Sequence, residues 1–404
     1  MIFHLDLDSF FVSCERLKDP SLIGIPVATG GKVVAEELAG NRDTGSRADP
    51  RGAGGVISSA SYEARKFGVR SAMPTAQALR LCPHLKIIRS SFGLYSEMSK
   101  KVFTVVERFA PVLEKVSVDE AYLDMRGTEN LWGPPEVAAQ TIRAAVFEET
   151  GLTASIGIGS NRRVAKIATD FRKPNGQTYV APGTEIEFLA PLDLKRIPGI
   201  GPSTEAVLTE NGLLKIRDAQ AWPLEKLVAR FGEGMGHFLF RASRGEGSTA
   251  FFEEALTRSM SRERTFSEFP KDRMTLKKEL WTLVSEIGAE LREEEDPALK
   301  YAQTVRLKLR NPKFETISRS RVLSKPTKIT EEIFDAVLAL FEENWMPGSA
   351  VRLLGAGIVL GDGARQLGLF EPVAEEQKKE KLEELKDTLR AKFGDSALKT
   401  GRDF

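Results

Sequence analysis

Residues 116–124 read VSVDEAYLD. Val116, Val118, Tyr122 and Leu123 have strand character, yet Asp119 and Glu120 stand side by side among them. A carboxylate withdrawn from water without a partner is strongly destabilising. Two of them in an apolar strand pair therefore require a solvated turn or a cation. The N-terminal stretch IFHLDLD supplies a neighbour: Phe3, Leu5 and Leu7 alternate with His4, Asp6 and Asp8. That is a strand with one apolar face, and it leaves Asp6 near a strand end.

The pattern extends in both directions. SFFVSCERL predicts a helix with Phe10, Cys14 and Leu17 on one side and Asp8 or Ser9 as its N-cap. SYEARKFG and PTAQALRLC predict two short helices, closed by Gly68 and Pro83. Residues 32–54 are polar, rich in Gly and Arg and aperiodic, which reads as a mobile loop or insertion. A helix bearing Val102, Val105, Val106 and Phe109 leads into the quoted stretch, and PPEVAAQTIRAAVFEET leads into the strand TASIGIG. Strand, helix, two strands, helix, strand is a split βαβ order. It predicts a four-stranded antiparallel sheet with helices on one face and with LDLD and VDEAYLD on neighbouring central strands.

Residues 181 to about 247 turn helical and Gly-punctuated, centred on LKRIPGIGPSTEAVLTENG. From Arg258 the split βαβ order returns, through RSMSRERTF, a long amphipathic helix, QTVRLKLR, ETISRSRVL, TEEIFDAVLALFEE and VRLLGAGIV. In QTVRLKLR, Val305, Leu307 and Leu309 face a core while Arg306, Lys308 and Arg310 face out, so this sheet presents a basic open surface. Beyond it come QLGLF, residues 366–370, and a mixed-charge helix with Leu382, Leu385 and Leu389 on a stripe.

A length of 404 residues predicts two to four domains. Hydrophobic content of 41% and charged content of 28% are those of an ordinary globular protein. The apolar runs fall short of a membrane span, and MIFHLDLD lacks the pattern of a signal peptide, so a cytoplasmic, membrane-free protein is expected. The two cysteines, Cys14 and Cys82, read as core residues. His4, His84 and His237 are too scattered to suggest a zinc site. A net charge of +1 hides local strips: nine basic residues against Glu315 between Lys300 and Lys328, and five against Asp170 between Asn161 and Lys173. Such strips suit phosphate, and equally a solvated face.

Asp6, Asp119 and Glu120 are expected to converge from adjacent strands. An oxygen-only acidic set suits Mg²⁺, which shares phosphate oxygens with its substrate, and two such ions about 4 Å apart clamp a phosphoryl displacement. The alternative is a wet hairpin turn carrying Asp119 and Glu120. SYEAR places Tyr62 and Arg65 on one helix face, fit to grip a triphosphate. In NRRVAKIATDFRKPNG, Val164, Ile167, Ala168 and Phe171 point inward and Arg162, Lys166 and Lys173 outward. IPGIGPSTEAVL offers Gly199 and Gly201 before a helix, where backbone N–H groups approach a phosphate or simply turn the chain.

HLDLDSFFVSCE, SYEARKFGVRSAMP, VSVDEAYLD, GIGSNRRVAKIATDFRKPNG, IPGIG and SMSRERTF, in that order over residues 1 to about 360, closely resemble the Y-family translesion DNA polymerases. Within that family the resemblance is to the bacterial DNA polymerase IV (DinB) branch. It implies an α+β, multidomain right hand. A ferredoxin-like palm would comprise residues 1–9 and 91–180, small fingers 10–90 with the inserted loop 32–54, and a helix-hairpin-helix thumb 181–247. A linker 248–257, a βαββαβ little finger 258–361 and a tail 362–404 would follow.

The same resemblance implies template-directed, low-fidelity DNA synthesis. Asp6, Asp119 and Glu120 would be catalytic and, with the Leu7 carbonyl, would hold two Mg²⁺ ions. Tyr62, Arg65 and Lys173 would bind the incoming dNTP, with Ser59 and Phe10 nearby and Phe11 as the steric gate against a 2′-OH. Gly199, Gly201, Arg306, Lys308, Arg310, Arg319 and Arg321 would contact primer–template DNA, mainly at phosphates. Gln366, Leu367, Leu369 and Phe370 would anchor the chain, expected to be a monomer, on the β subunit of the replication sliding clamp. Two departures stand out: Arg162 where the family commonly has Lys, and residues 32–54, about twenty residues longer than in typical relatives. A palm-type nucleotide cyclase and a catalytically inactive DNA-binding accessory factor are the alternatives. The IPGIG hairpin and second basic sheet weigh against the first, the intact acidic trio against the second.

Overall fold

The computed structural model of the protein describes residues 1–32, 54–252, 259–296, 299–361 and 373–393. The chain divides into two compact units, Met1–Glu253 and Glu254–Phe404. No described helix is long and apolar enough to cross a membrane.

The first unit is built on a five-stranded sheet in the order Val112–Lys115, Glu120–Asp124, Ile2–Leu7, Ala154–Gly159, Gln177–Tyr179. The first four strands are antiparallel, as the pattern predicts; the short fifth pairs parallel to Ala154–Gly159 and was not foreseen. Alternation fixes the faces. Phe3, Leu5 and Leu7 join Ala121, Leu123, Ile156 and Ile158 against the helices Phe92–Val106 and Pro135–Thr150 in the main core. The opposite face is also covered, contrary to expectation. Helix Arg162–Thr169 lies over it and packs Ala165 against Ile2 and Tyr122. It can do so because Gly157 has no side chain: a Cβ there would sit 2.0 Å from the Ala165 carbonyl oxygen. Residues 116–118 are not strand. Val116 and Val118 are exposed, and the connection they form carries Asp119, while Glu120 opens the next strand.

A smaller sheet pairs Val27–Lys32 antiparallel with Gly54–Ala60 and parallel with Lys86–Ile88, around Ala28, Ile57, Ala64 and Leu79. Residues 33–53, most of the expected inserted loop, lie outside the described residues. Helix Tyr62–Lys66 starts on Ser61, whose Oγ accepts from the Ala64 N–H. Helix Phe10–Lys18 has no such cap: Ser9 is left-handed at φ 46°, and its hydroxyl donates instead to the Ala60 carbonyl, 3.2 Å away. Helices Pro202–Glu210, Ile216–Gln220, Leu224–Phe231 and Glu233–Ser243 gather around Leu208, Leu227 and Leu239.

The second unit is a four-stranded antiparallel sheet in the order Thr316–Thr327, Tyr301–Arg310, Leu353–Gly361, Ser259–Thr265, with helices Arg273–Glu293 and Thr330–Asn344 on one face. Val305, Leu307 and Leu309 are buried against those helices, as predicted. The register corrects one expectation. Val305 pairs with Arg321, so Arg321 lies on the helix side of the edge strand, not beside Arg306, Lys308 and Arg310; Arg319, opposite Leu307, still borders the cavity that Arg306 and Lys308 line. Arg321 accordingly pairs with Glu343 of helix Thr330–Asn344 at 2.7 Å.

Helix Val373–Phe393 folds back on this unit through charge. Arg292 reaches Glu383 and Asp387, and Lys328 reaches Glu380 and Glu384. Leu382 and Leu385 of the expected stripe remain exposed. Residues 366–370 lie outside the described residues.

Candidate active site

Asp6 and Glu120 are cross-strand partners, and the Leu7 N–H donates to the Asp119 carbonyl at 2.9 Å, so all three acids stand at one end of the first sheet. Their carboxylates turn to different partners. Asp6 Oδ1 lies 2.8 Å from Lys173 Nζ, and Asp119 Oδ1 accepts from the Ser117 hydroxyl. Glu120 Oε1 accepts from His4 Nε2 at 2.7 Å and from Lys166. Among the described residues, then, no three acids already surround one point.

The electrostatics separate the trio. Burial pushes the Asp6 carboxyl up to about 6, despite the nearby Lys173. Burial alone would also raise Glu120, but hydrogen bonds from His4 and Lys166 outweigh it and hold Glu120 at about 2. Burial keeps His4 below its ordinary range and therefore neutral, with Nδ1 left to accept from Thr169 Oγ1 at 2.7 Å. An all-oxygen set with one carboxylate under-compensated by its lysine fits a hard divalent cation.

A cavity of about 370 Å³ lies over the second sheet, and a smaller one of about 210 Å³ opens beside the acids. The smaller is lined by Asp6, Leu7, Ser9, Phe10, Phe11, Ser58, Ser59, Tyr62, Arg65, Ser71, Asp119 and Lys173. Helix Tyr62–Lys66 places the Arg65 guanidinium 4.7 Å from the Tyr62 ring centroid, and Arg65 Nε donates to the Ala60 carbonyl. The Tyr62 hydroxyl donates to Asp8 Oδ1, and burial together with that neighbour raises its pKa above the usual phenol range. Phe11 is half-buried and stacks on Tyr95, centroids 4.3 Å apart and planes at 10°. Tyr95 in turn donates to the buried Glu15 at 2.6 Å. Phe10 is buried in the core beside Phe11, its ring 5.6 Å away.

Lys166 and Lys173, for which the sequence left phosphate and solvent both open, are counter-ions of Glu120 and Asp6. Arg162 is likewise paired: both its terminal nitrogens hold Glu114 at 2.6 Å, and its guanidinium lies 4.2 Å over Tyr122. Only a planar fork makes that combination, which accounts for Arg at this position. Phe171, expected inward, is 54% exposed. His4 was not anticipated, although its place on the Asp6 face of the strand was the signal; for Ser58 and Ser71 the sequence carried none.

On the second sheet the open face pairs Arg306 with Gly357 and Ser320, and Lys308 with Gly355 and Ser318. These line the larger cavity, where Lys308 is held by Glu263 at 2.8 Å. Gly199 is left-handed at φ 101°, whereas Gly201 has φ −91° and a Cβ there would meet nothing within 4 Å. The fold therefore requires glycine at the first of these positions but not at the second.

Comparison with known proteins covers nearly all of this architecture. The impB/mucB/samB family model matches residues 5–170, its C-terminal domain matches 257–369, and a DNA polymerase-iota thumb-domain model matches 195–246. A DNA polymerase IV of Dehalococcoides mccartyi is 36% identical, over 100% of this chain and 97% of its own. One from Caulobacter vibrioides is 34% identical, over 99% and 93%. Among solved structures, a Y-family DNA polymerase chimera built on Dbh superposes with a TM-score of 0.70 at 22% identity, covering 89% of this chain and 98% of that one. The insertion ternary complex of Dbh DNA polymerase gives a TM-score of 0.56 over the same shares. With the acidic strand ends, the cavity beside them and a split βαβ sheet in each unit in place, this chain belongs to the Y family of DNA polymerases and is a DNA-directed DNA polymerase.

Proposed function

We propose that the protein copies damaged templates at low fidelity, by magnesium-assisted nucleotidyl transfer in the 210 Å³ cavity. The observation that carries this is the composition of that cavity wall: two carboxylates, Arg65 and Lys173, and two half-buried rings, Phe11 and Tyr62, around a space open to a nucleotide. Asp6, Asp119, Glu120 and the Leu7 carbonyl would hold the metal. When bound, Mg²⁺ activates the attacking hydroxyl and neutralises charge on the phosphates. Tyr62, Arg65 and Lys173 orient the triphosphate so that its α-phosphorus meets the primer 3′-hydroxyl and pyrophosphate leaves. In that state Lys173 exchanges Asp6 for a phosphate oxygen. Ser59 and the backbone at Phe10 shape the pocket, and Phe11 lies under the sugar, where a 2′-hydroxyl collides with its ring.

The division into palm, fingers, thumb, linker, little finger and tail given above is part of this reading. So are DNA contacts by Gly199, Gly201 and the open basic face, and clamp docking through Gln366, Leu367, Leu369 and Phe370. A cytoplasmic monomer completes it. Primer extension with purified protein, Mg²⁺ and dNTPs, on intact and lesion-bearing templates, tests it. Asp119→Ala should lower extension by about a thousandfold or more while DNA affinity survives, as for loss of a group acting on the transferring phosphoryl. Phe11→Ala should admit ribonucleotides. Normal extension by the first variant, or cyclic product in place of extension, refutes the site.

A further inference from the structure

One buried carboxylate beside the cavity has no part in the chemistry above. Asp8 is 3% exposed, does not line the cavity, and gathers three donors from three separate elements. Its Oδ1 accepts from the Ser155 hydroxyl at 2.8 Å and from the Tyr62 hydroxyl at 3.2 Å. Its Oδ2 accepts from the Asn175 N–H at 2.7 Å. Ser155 belongs to the neighbouring strand, Tyr62 to the short helix over the smaller sheet, and Asn175 to the turn just after Lys173. Asn175 is left-handed at φ 51°, and Arg143 donates to its side-chain oxygen at 2.6 Å while also holding the Ala154 carbonyl. The turn carrying Lys173 is thus fastened to the first sheet through Asp8 and Arg143.

We infer that Asp8 is a positioning residue for the incoming nucleotide: it ties Tyr62 and the Lys173 turn to one buried point, so that the two grip the triphosphate at a set separation. The inference rests on the proposed roles of Tyr62 and Lys173. A carboxylate accepts all three donors at once, and such charge-assisted bonds are the strong ones. An amide of the same shape offers one acceptor oxygen and presents N–H groups where an acceptor is needed. At least one of the three elements is then released.

Steady-state single-nucleotide incorporation tests this with Asp8→Asn, Ser155→Ala, Tyr62→Phe and Lys173→Ala. Asp8→Asn should raise KM for dNTP about tenfold, the worth of one charge-assisted hydrogen bond, with kcat within about threefold of the parent. The Mg²⁺ concentration for half-maximal rate and the affinity for primer–template should not move. Ser155→Ala removes one donor to Asp8 and a long, 3.4 Å acceptor for the Gly176 N–H of the Lys173 turn, but leaves the Tyr62 and Asn175 bonds to Asp8 in place, and should raise KM only about two- to threefold. Combining Asp8→Asn with Tyr62→Phe should raise KM by less than the product of the single effects, because both act through one contact.

Two failures are distinguishable. If Tyr62→Phe and Lys173→Ala both leave KM unchanged, the triphosphate assignment itself falls, whatever Asp8 does. If they raise KM while Asp8→Asn leaves it at the parent value, the role of Asp8 alone is overturned. It is overturned too if Asp8→Asn shifts KM, DNA affinity and melting temperature together, since that marks a structural staple.

Discussion

The two sheets carry the same small motif on the face away from their paired helices. In the first it is Gly157-Ile158-Gly159, in the second Gly355-Ala356-Gly357. Both put glycine at alternate positions, which empties one face of a strand and invites close approach. Over the first pair lies the chain's own helix Arg162–Thr169, near enough that a Cβ at Gly157 would overlap Ala165. Over the second pair no described element lies, and the flanking Ser261, Arg306, Ser318 and Ser320 are exposed. One motif thus closes a core and, on the proposed reading, the other receives DNA. A glycine pair on a sheet signals an intimate neighbour without saying whether the neighbour belongs to the same chain.

The sharpest way to break the comparison is to fill both positions. Gly157→Val should destabilise the first unit by about 3 kcal/mol or more, because backbone rather than a flexible side chain is in the way. A Cβ at Gly357 meets Ser261 Cβ at 3.1 Å and the Met260 carbonyl oxygen at 3.2 Å, tight contacts but far from the 2.0 Å overlap at Gly157, so Gly357→Ala should stay within about 1 kcal/mol of the parent, while weakening DNA binding several-fold. Chemical denaturation and DNA titration of both variants decide it; equal destabilisation would erase the distinction.

The charges differ as the glycines do, and pH exposes this. Asp6 has a folded value of about 6, above that of an unfolded aspartate. Below about pH 4 both states are protonated and no penalty exists; as pH rises from about 4 to 6 the folded chain must ionise a buried acid, losing up to ~3 kcal/mol. Glu120, held at about 2, acts oppositely: its contribution is present above the unfolded value and is lost as pH falls toward 2. On the proposed reading protons and Mg²⁺ compete for Asp6, so apparent Mg²⁺ affinity should rise about tenfold per pH unit up to about 6 and then level. Isothermal titration from pH 5 to 8 checks this, and a flat profile removes Asp6 from the metal site. A smaller effect is expected on the open sheet. Arg306→Ala should reduce the salt slope of DNA binding by about one, and Arg321→Ala, paired to Glu343 on the other face, should leave it unchanged.

Much of this was legible because alternation is a strong signal: Phe3, Leu5 and Leu7, or Val305, Leu307 and Leu309, have one way to be buried. Where both faces are polar the signal fails. ETISRSRVL alternates Ser and Arg, so the pattern does not reveal which set shares the helix side, and that Arg321 pairs there with Glu343 was not visible. Val116 and Val118 read as strand by propensity, but Asp119 needs the connection there. Lys166 and Lys173 read as outward, fit for phosphate or for solvent alike, because a charge run does not reveal partners as distant in sequence as Glu120 and Asp6. Apart from Ser58 and Ser71, the cavity residues were visible as separate motifs; that Asp8 and His4 bind those motifs together required the third dimension.

The stack beneath Phe11 bears on how sugar choice can be lost. A barrier discriminates only as well as its mooring resists yielding, and Phe11 leans on Tyr95, whose hydroxyl is moored to Glu15 in the interior. On the proposed reading, ribose would slip past not only when the barrier is trimmed but also when Glu15, remote from any nucleotide, lets go of the ring behind it.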